Sequence, residues 1–143
     1  MRILIAILIL MAGLMLYFRL APTSPERWHV PPQITEPVDR QEDGGFTAVR
    51  RITAPAQEVL TAFEQRALAT PRTTLLAGSV GEGLLTFQTR SLFWGFPDYT
   101  TVTVADDLLI VYGRLRFGRS DMGVNKARIE SWLASLGPLT QAP

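Results

Sequence analysis

Residues 73–117, TTLLAGSVGEGLLTFQTRSLFWGFPDYTTVTVADDLLIVYGRLRF, decide the fold. Turn signals cut them into four strand-like runs, 73–80, 84–91, 98–105 and 108–117. Gly81-Glu82-Gly83 and Asp106-Asp107 are short enough to be hairpin connections, and Phe93-Trp94-Gly95-Phe96-Pro97 forms a longer aromatic turn. In the last run, alternation puts Leu109, Val111, Gly113, Leu115 and Phe117 on one face and Ile110, Tyr112, Arg114 and Arg116 on the other. The first set belongs to a core, and the second does not.

Upstream, residues 46–53 alternate imperfectly and predict a first strand that ends at Ala54-Pro55. Thr53 or Ala54 supplies a cap and Pro55 suits a first helical turn. Val59, Leu60, Ala62, Phe63, Ala67 and Leu68 then form an apolar stripe that Pro71 closes. Downstream, residues 118–123 read as a turn and 124–136 as a closing helix stopped by Gly137-Pro138. The order β-α-β-β-β-β-α predicts an α+β domain over 46–138, a small antiparallel sheet with helices packed on one face, followed by a tail at 139–143. A curved sheet gripping the last helix, as in START-like lipid-binding folds, is one variant, for which this domain is short.

Two segments precede the domain. Residues 22–45 carry five of the ten prolines and end in Gly44-Gly45, which reads as a linker of extended geometry; Trp28 and Val30 are its candidates for packing on the domain or on a bilayer. Residues 3–18, ILIAILILMAGLMLYF, are uncharged and apolar, long enough as a helix to cover roughly 24 Å of a hydrocarbon layer about 30 Å thick. With Arg19 turned toward the headgroups, residues 1–21 form a transmembrane anchor that ties the chain to the membrane through 3–21. The competing reading is a cleaved signal peptide. It meets a poor peptidase site, because Arg19 lies two residues before Ala21 and Pro22 follows it. The balance of Arg2 against Arg19 and Arg27 is nearly even, and the habit of short amino-terminal anchors favours an exported body.

The chain has 14 Lys and Arg against 13 Asp and Glu, a net charge of +1. Setting Arg2 and Arg19 aside with the anchor leaves the rest at about −1, so no global field draws nucleic acid. There is no cysteine and a single histidine, His29, which falls in the linker. A zinc or iron centre lacks donors, no well-held general base exists for a nucleophilic triad, and a Ser120-Asp121 pair alone is not one. No metal, no cofactor and no catalytic residue is therefore expected.

One segment carries a signature. Residues 112–132, YGRLRFGRSDMGVNKARIESW, bring Arg114, Arg116, Arg119, Lys126 and Arg128 close together in sequence. Ser120 or Asn125 is a natural cap, yet Lys126 and Arg128 then occupy the first turn, where the helix dipole disfavours cations. Something anionic should compensate. Either Asp121 folds back on an arginine and locks strand to helix, or helix amides with Arg114 and Lys126 or Arg128 bind an anion such as a small molecule or a lipid headgroup.

The same segment resembles the bacterial and plastid family known as domain of unknown function 1499. The likeness rests on an arginine-bearing strand, a G-x-S-D-x-G-x-N turn and a basic helix start, matched here by Arg114, Gly118, Ser120, Asp121, Gly123, Asn125, Lys126, Arg128, Ile129 and Glu130. It extends more loosely back to Phe46. Members often carry a Ser-Pro-Asn-Cys type stretch; Thr23-Ser24-Pro25-Glu26 keeps Ser-Pro without the cysteine. The resemblance implies an uncharacterised envelope protein, without an established activity.

Together these readings describe a single-pass protein of the bacterial inner membrane, its domain facing the periplasm. It is expected to bind or scaffold rather than catalyse, with Arg114, Arg116, Ser120, Asp121, Asn125, Lys126 and Arg128 as the anion-binding or structural motif. The alternative is a small START-like carrier or enzyme with an apolar cavity for an acidic, lipid-like ligand. A closed cavity between sheet and last helix would mark the carrier, and a filled core the scaffold.

Overall fold

The computed structural model describes residues 1–143. In chain order the elements are α1 (Arg2–Leu20), a one-turn helix α2 (Pro25–Trp28), β1 (Arg40–Glu42), β2 (Gly45–Ile52), α3 (Ala56–Leu68), β3 (Thr73–Ser79), β4 (Leu84–Arg90), β5 (Pro97–Ala105), β6 (Leu108–Leu115), α4 (Val124–Ala134), a 3-10 turn (Gly137–Leu139) and β7 (Thr140–Gln141). After the apolar amino-terminal helix the protein is an α+β domain. Its sheet has the order β1-β2-β6-β5-β4-β3, with β7 beside the far end of β2. Every pairing is antiparallel, as strands joined by short turns require.

Both helices pack on one face. Phe46 and Ala48 of β2, Leu85 and Phe87 of β4, Val102 of β5, and Leu109 and Val111 of β6 meet Val59, Leu60, Phe63 and Ala67 of α3 and Ile129, Trp132 and Leu133 of α4, with Leu136 just beyond it. The layer is filled. Phe63 and Phe87 each set a ring against Trp132, with centroids 5.6 and 6.3 Å away. The Trp132 indole N–H donates to Thr70 Oγ1 at 2.8 Å, so the largest core side chain buries no unpaired donor. Burying Phe63 or Phe87 contributes about 1.5–3 kcal/mol each.

Two strands escape the alternation rule. β1 is Arg-Gln-Glu, wholly exposed, and exists because the Asp43-Gly44 turn folds it back on β2, Arg40 opposite Thr47. β7 is two residues long and is held through the chain's return to Arg51 and Ile52.

α1 is longer than the uncharged run, because Arg2, Arg19 and Leu20 are also helical. Its 19 residues span roughly 28 Å, and none is buried against the domain. Length and composition suit a signal anchor or a signal peptide.

Candidate functional site

The start of α4 is built on a close approach. A Cβ on Gly113 of β6 would lie 2.7 Å from Ile129 Cδ1 and 3.2 Å from Asn125 Oδ1, so only glycine lets the helix settle here. Asn125 is fully buried. Its amide donates to Asp98 Oδ2 at 3.4 Å and its carbonyl accepts from Arg128 Nη1 at 3.0 Å, while Arg128 Nη2 reaches Asp98 Oδ2 at 3.5 Å. Burial pushes the Asp98 carboxyl up against the pull of Arg128, and burial likewise lowers the Arg128 guanidinium. Desolvation therefore outweighs the attraction between them.

Asp121 takes a different role from pairing with an arginine. Its Oδ1 accepts the Gly123 N–H at 3.0 Å and its Oδ2 the Asn125 N–H at 2.9 Å. This carboxylate occupies the amide end of α4 and offsets the cations of the first turn. Burial alone would raise its pKa, but these amide hydrogen bonds prevail and hold it below the usual carboxylate range. Ser120 Oγ accepts the Met122 N–H at 3.2 Å. Lys126 points to solvent, 3.9 Å from Glu130 and over the Phe46 ring.

Arg114 of β6 and Arg116 just beyond it face the opposite side, where the chain from Pro22 to Val30 lies across the sheet. Trp28 stacks on Tyr99 with ring centroids 4.0 Å apart. Arg114 donates to the Trp28 carbonyl and to Thr101 Oγ1, and its guanidinium lies 5.4 Å from the Trp28 ring centre. Arg116 donates to the Pro22 carbonyl at 2.9 Å and sits within 3.4 Å of Thr23 Oγ1 and the Tyr99 hydroxyl. His29 Nδ1 shares a 3.0 Å hydrogen bond with Thr86 Oγ1. The cations named from the sequence thus divide between two faces of the sheet.

A third region forms where α1 leaves the domain. The Phe18 ring packs against Phe96 and Phe117, with centroids 4.5 and 5.0 Å away. Arg90 Nη1 donates to the carbonyls of Phe18 and Gly95, and Arg19 Nη2 to that of Phe93. Gly95 has a left-handed backbone, and a Cβ there would meet Arg19 Cγ at 2.6 Å. Beside this joint opens an apolar cleft of about 660 Å³, walled by Phe18, Phe93, Trp94, Phe96, Leu115 and Phe117 on one side and the 118–124 turn on the other. Its mouth is exposed: the lining residues Phe93 and Met122 are 59% and 92% exposed, and Leu92 beside them 73%.

Asp98, Arg90 and Phe18 were not singled out by the sequence. Asp98 was within reach of it: the parity that sends Val102 inward sends Asp98 inward too, and an inward carboxylate calls for a cation. Nothing local marks the contact between Phe18 and Arg90, which lie 72 residues apart. No group of three or more His, Cys, Asp or Glu side chains is placed to hold a metal ion.

These features define an α+β domain with an antiparallel sheet, helices on one face and an apolar amino-terminal helix joined to its edge. Residues 25–136 match the family described as Protein of unknown function (DUF1499), and the chain belongs to that family. The match takes in residues 25–30 of the segment laid across the sheet, Trp28 among them, as well as the arginine-bearing strand and turn. No curated protein matches the chain.

Proposed function

We propose that the protein is a membrane-tethered, non-catalytic binding domain of the bacterial inner membrane, facing the periplasm and working against the lipid surface. The observation that carries this reading is the joint between Phe18-Arg19 and the aromatic turn. It holds the exposed apolar rim at the level where a spanning α1 would leave the hydrocarbon. Four arginines, Arg19, Arg90, Arg116 and Arg119, cluster around the same end, and none belongs to an ion pair with a carboxylate. Arginines beside exposed aromatic side chains suit an interface of anionic headgroups. With the α4 amides taken by Asp121, anion recognition falls to these side chains rather than to the helix end. The filled layer between sheet and helices speaks for a binding surface over an enclosed carrier.

The test is fractionation with a topology reporter. The full chain fused at its carboxy terminus to alkaline phosphatase should resist a carbonate wash of the membranes and show phosphatase activity. Release of a shortened, water-soluble form, or an inactive phosphatase on a tethered chain, would overturn the reading.

A further inference from the structure

We infer that the cleft at the anchor joint takes one acyl chain of an anionic phospholipid from the leaflet in which α1 ends. The inference rests on the tethered reading and adds a ligand to it.

Continuity supplies the first argument. Phe18 is both the last ring of the apolar helix and a wall of the cleft, so the lipid that surrounds α1 is contiguous with the opening. A chain can slide in from the leaflet without crossing water. The volume of about 660 Å³ lies within the roughly 300–1,000 Å³ of small-molecule sites.

The occupant also follows from what an empty cleft would cost. At headgroup depth an unfilled cleft holds water against Phe93, Trp94, Leu115 and Phe117, and a hydrocarbon chain removes that contact. Nearby protein segments offer no substitute, since α1 stops at Leu20 and the chain turns away over the other face of the sheet.

Charge selects the headgroup. Arg90 is bonded to Phe18, Arg19 to Phe93, Arg116 lies over the Phe117 ring and Arg119 sits between two lining residues, Gly118 and Ser120. The two lining carboxylates are engaged elsewhere, Asp121 with the α4 amides and Asp98 with Asn125 and Arg128. The free charge at the mouth is therefore positive, matched to a phosphate diester.

The experiment places the full-length protein in phosphatidylethanolamine vesicles containing a trace of phosphatidylglycerol or phosphatidylcholine with a diazirine in one acyl chain. After illumination, labelled residues are mapped by mass spectrometry. The expected result is labelling of Leu115 and Phe117, inside the cleft, with several-fold higher yield from phosphatidylglycerol. Labelling confined to α1 and Leu92, which lies outside the cleft lining, overturns the inference and leaves the tethered reading standing. Equal yield from the two headgroups also overturns it, and absence of label from α1 itself brings down both.

Discussion

Arg128 on the closing helix and Asp98 at the head of β5 meet at 3.5 Å with side chains only 13% and 17% exposed, and Asn125 is hydrogen-bonded to both. Asn125, which also packs over Gly113, links the pair to β6. Because burial costs each partner more than the other returns, the pair serves better to fix the position of α4 than to stabilise the domain.

Removing one partner strands the other. Arg128→Ala should lower stability by about 3 kcal/mol, and Asp98→Ala by a similar amount. The double variant should lose clearly less than the sum, whereas Arg128→Ala with Asp121→Ala, linked only through Asn125 and a longer-range attraction, should depart less from additivity. Urea unfolding of the detergent-solubilised chain measures both combinations and their single variants. Coupling as strong for Asp121 as for Asp98 would contradict the assignment of Asp121 to the helix amides.

Asp121 also sets a pH dependence. Its folded pKa lies below the unfolded value of 3.8, so its ionised form stabilises the fold. That contribution is fully present above the unfolded value and disappears as pH falls through the folded one. The stability difference between the native chain and Asp121→Ala should stay constant above about pH 5 and shrink as pH falls below it. Asp98 runs the other way: its folded pKa is raised, so protonation on the acid side relieves its burial. Any loss caused by Asp98→Asn, which also strands Arg128, should therefore be smallest at neutral pH and grow as pH falls. Melting temperatures from pH 7 down to pH 3 distinguish the two carboxylates.

The sheet was legible because its strands are amphipathic and their turns are short. The expected run 84–91 is Leu84–Arg90 in the structure, and 108–117 is Leu108–Leu115. The closing helix, expected over 124–136, is Val124–Ala134. Asp121, Asn125 and Arg128 do converge at its start, since a turn and a first helical turn keep sequence neighbours close. Arg114 and Arg116 stand apart because strand parity sends them to the opposite face. Of the path of residues 22–30 the sequence offered only Trp28 and Val30 as candidates for packing; Trp28 does stack on Tyr99, but the rest is held by backbone carbonyls given to Arg114 and Arg116, which carry no sequence signal.

That strap is the subject of the third prediction. Trp28→Ala removes the stack on Tyr99 and loosens the carbonyl that Arg114 and Thr101 hold. The expected loss is about 2 kcal/mol, or roughly 8–16 °C in melting temperature for a domain of this size. Limited proteolysis should cut within residues 22–38 sooner than in the native chain, with the sheet left intact. An unchanged cleavage rate would mean that the strap does not depend on its tryptophan.

The fourth concerns the approach of α4 to β6. Gly113→Ala places a methyl group 2.7 Å from Ile129 Cδ1, in a region where Ile129 is fully buried and cannot swing aside. Overpacking of this kind costs about 1–3 kcal/mol. Ile129→Val deletes the clashing atom and by itself costs about 0.5–1.5 kcal/mol through the space it leaves. The two changes are complementary in volume, so the double variant should be more stable than Gly113→Ala alone, although both single changes destabilise. Asn125 sets the limit of the rescue: its Oδ1 and Cβ would still lie 3.2 and 3.3 Å from the new methyl. Recovery should therefore be partial, and chemical denaturation of the four chains measures it. Full additivity of the two losses would show that the contact between helix and strand is looser than the fit of Ile129 over Gly113 requires.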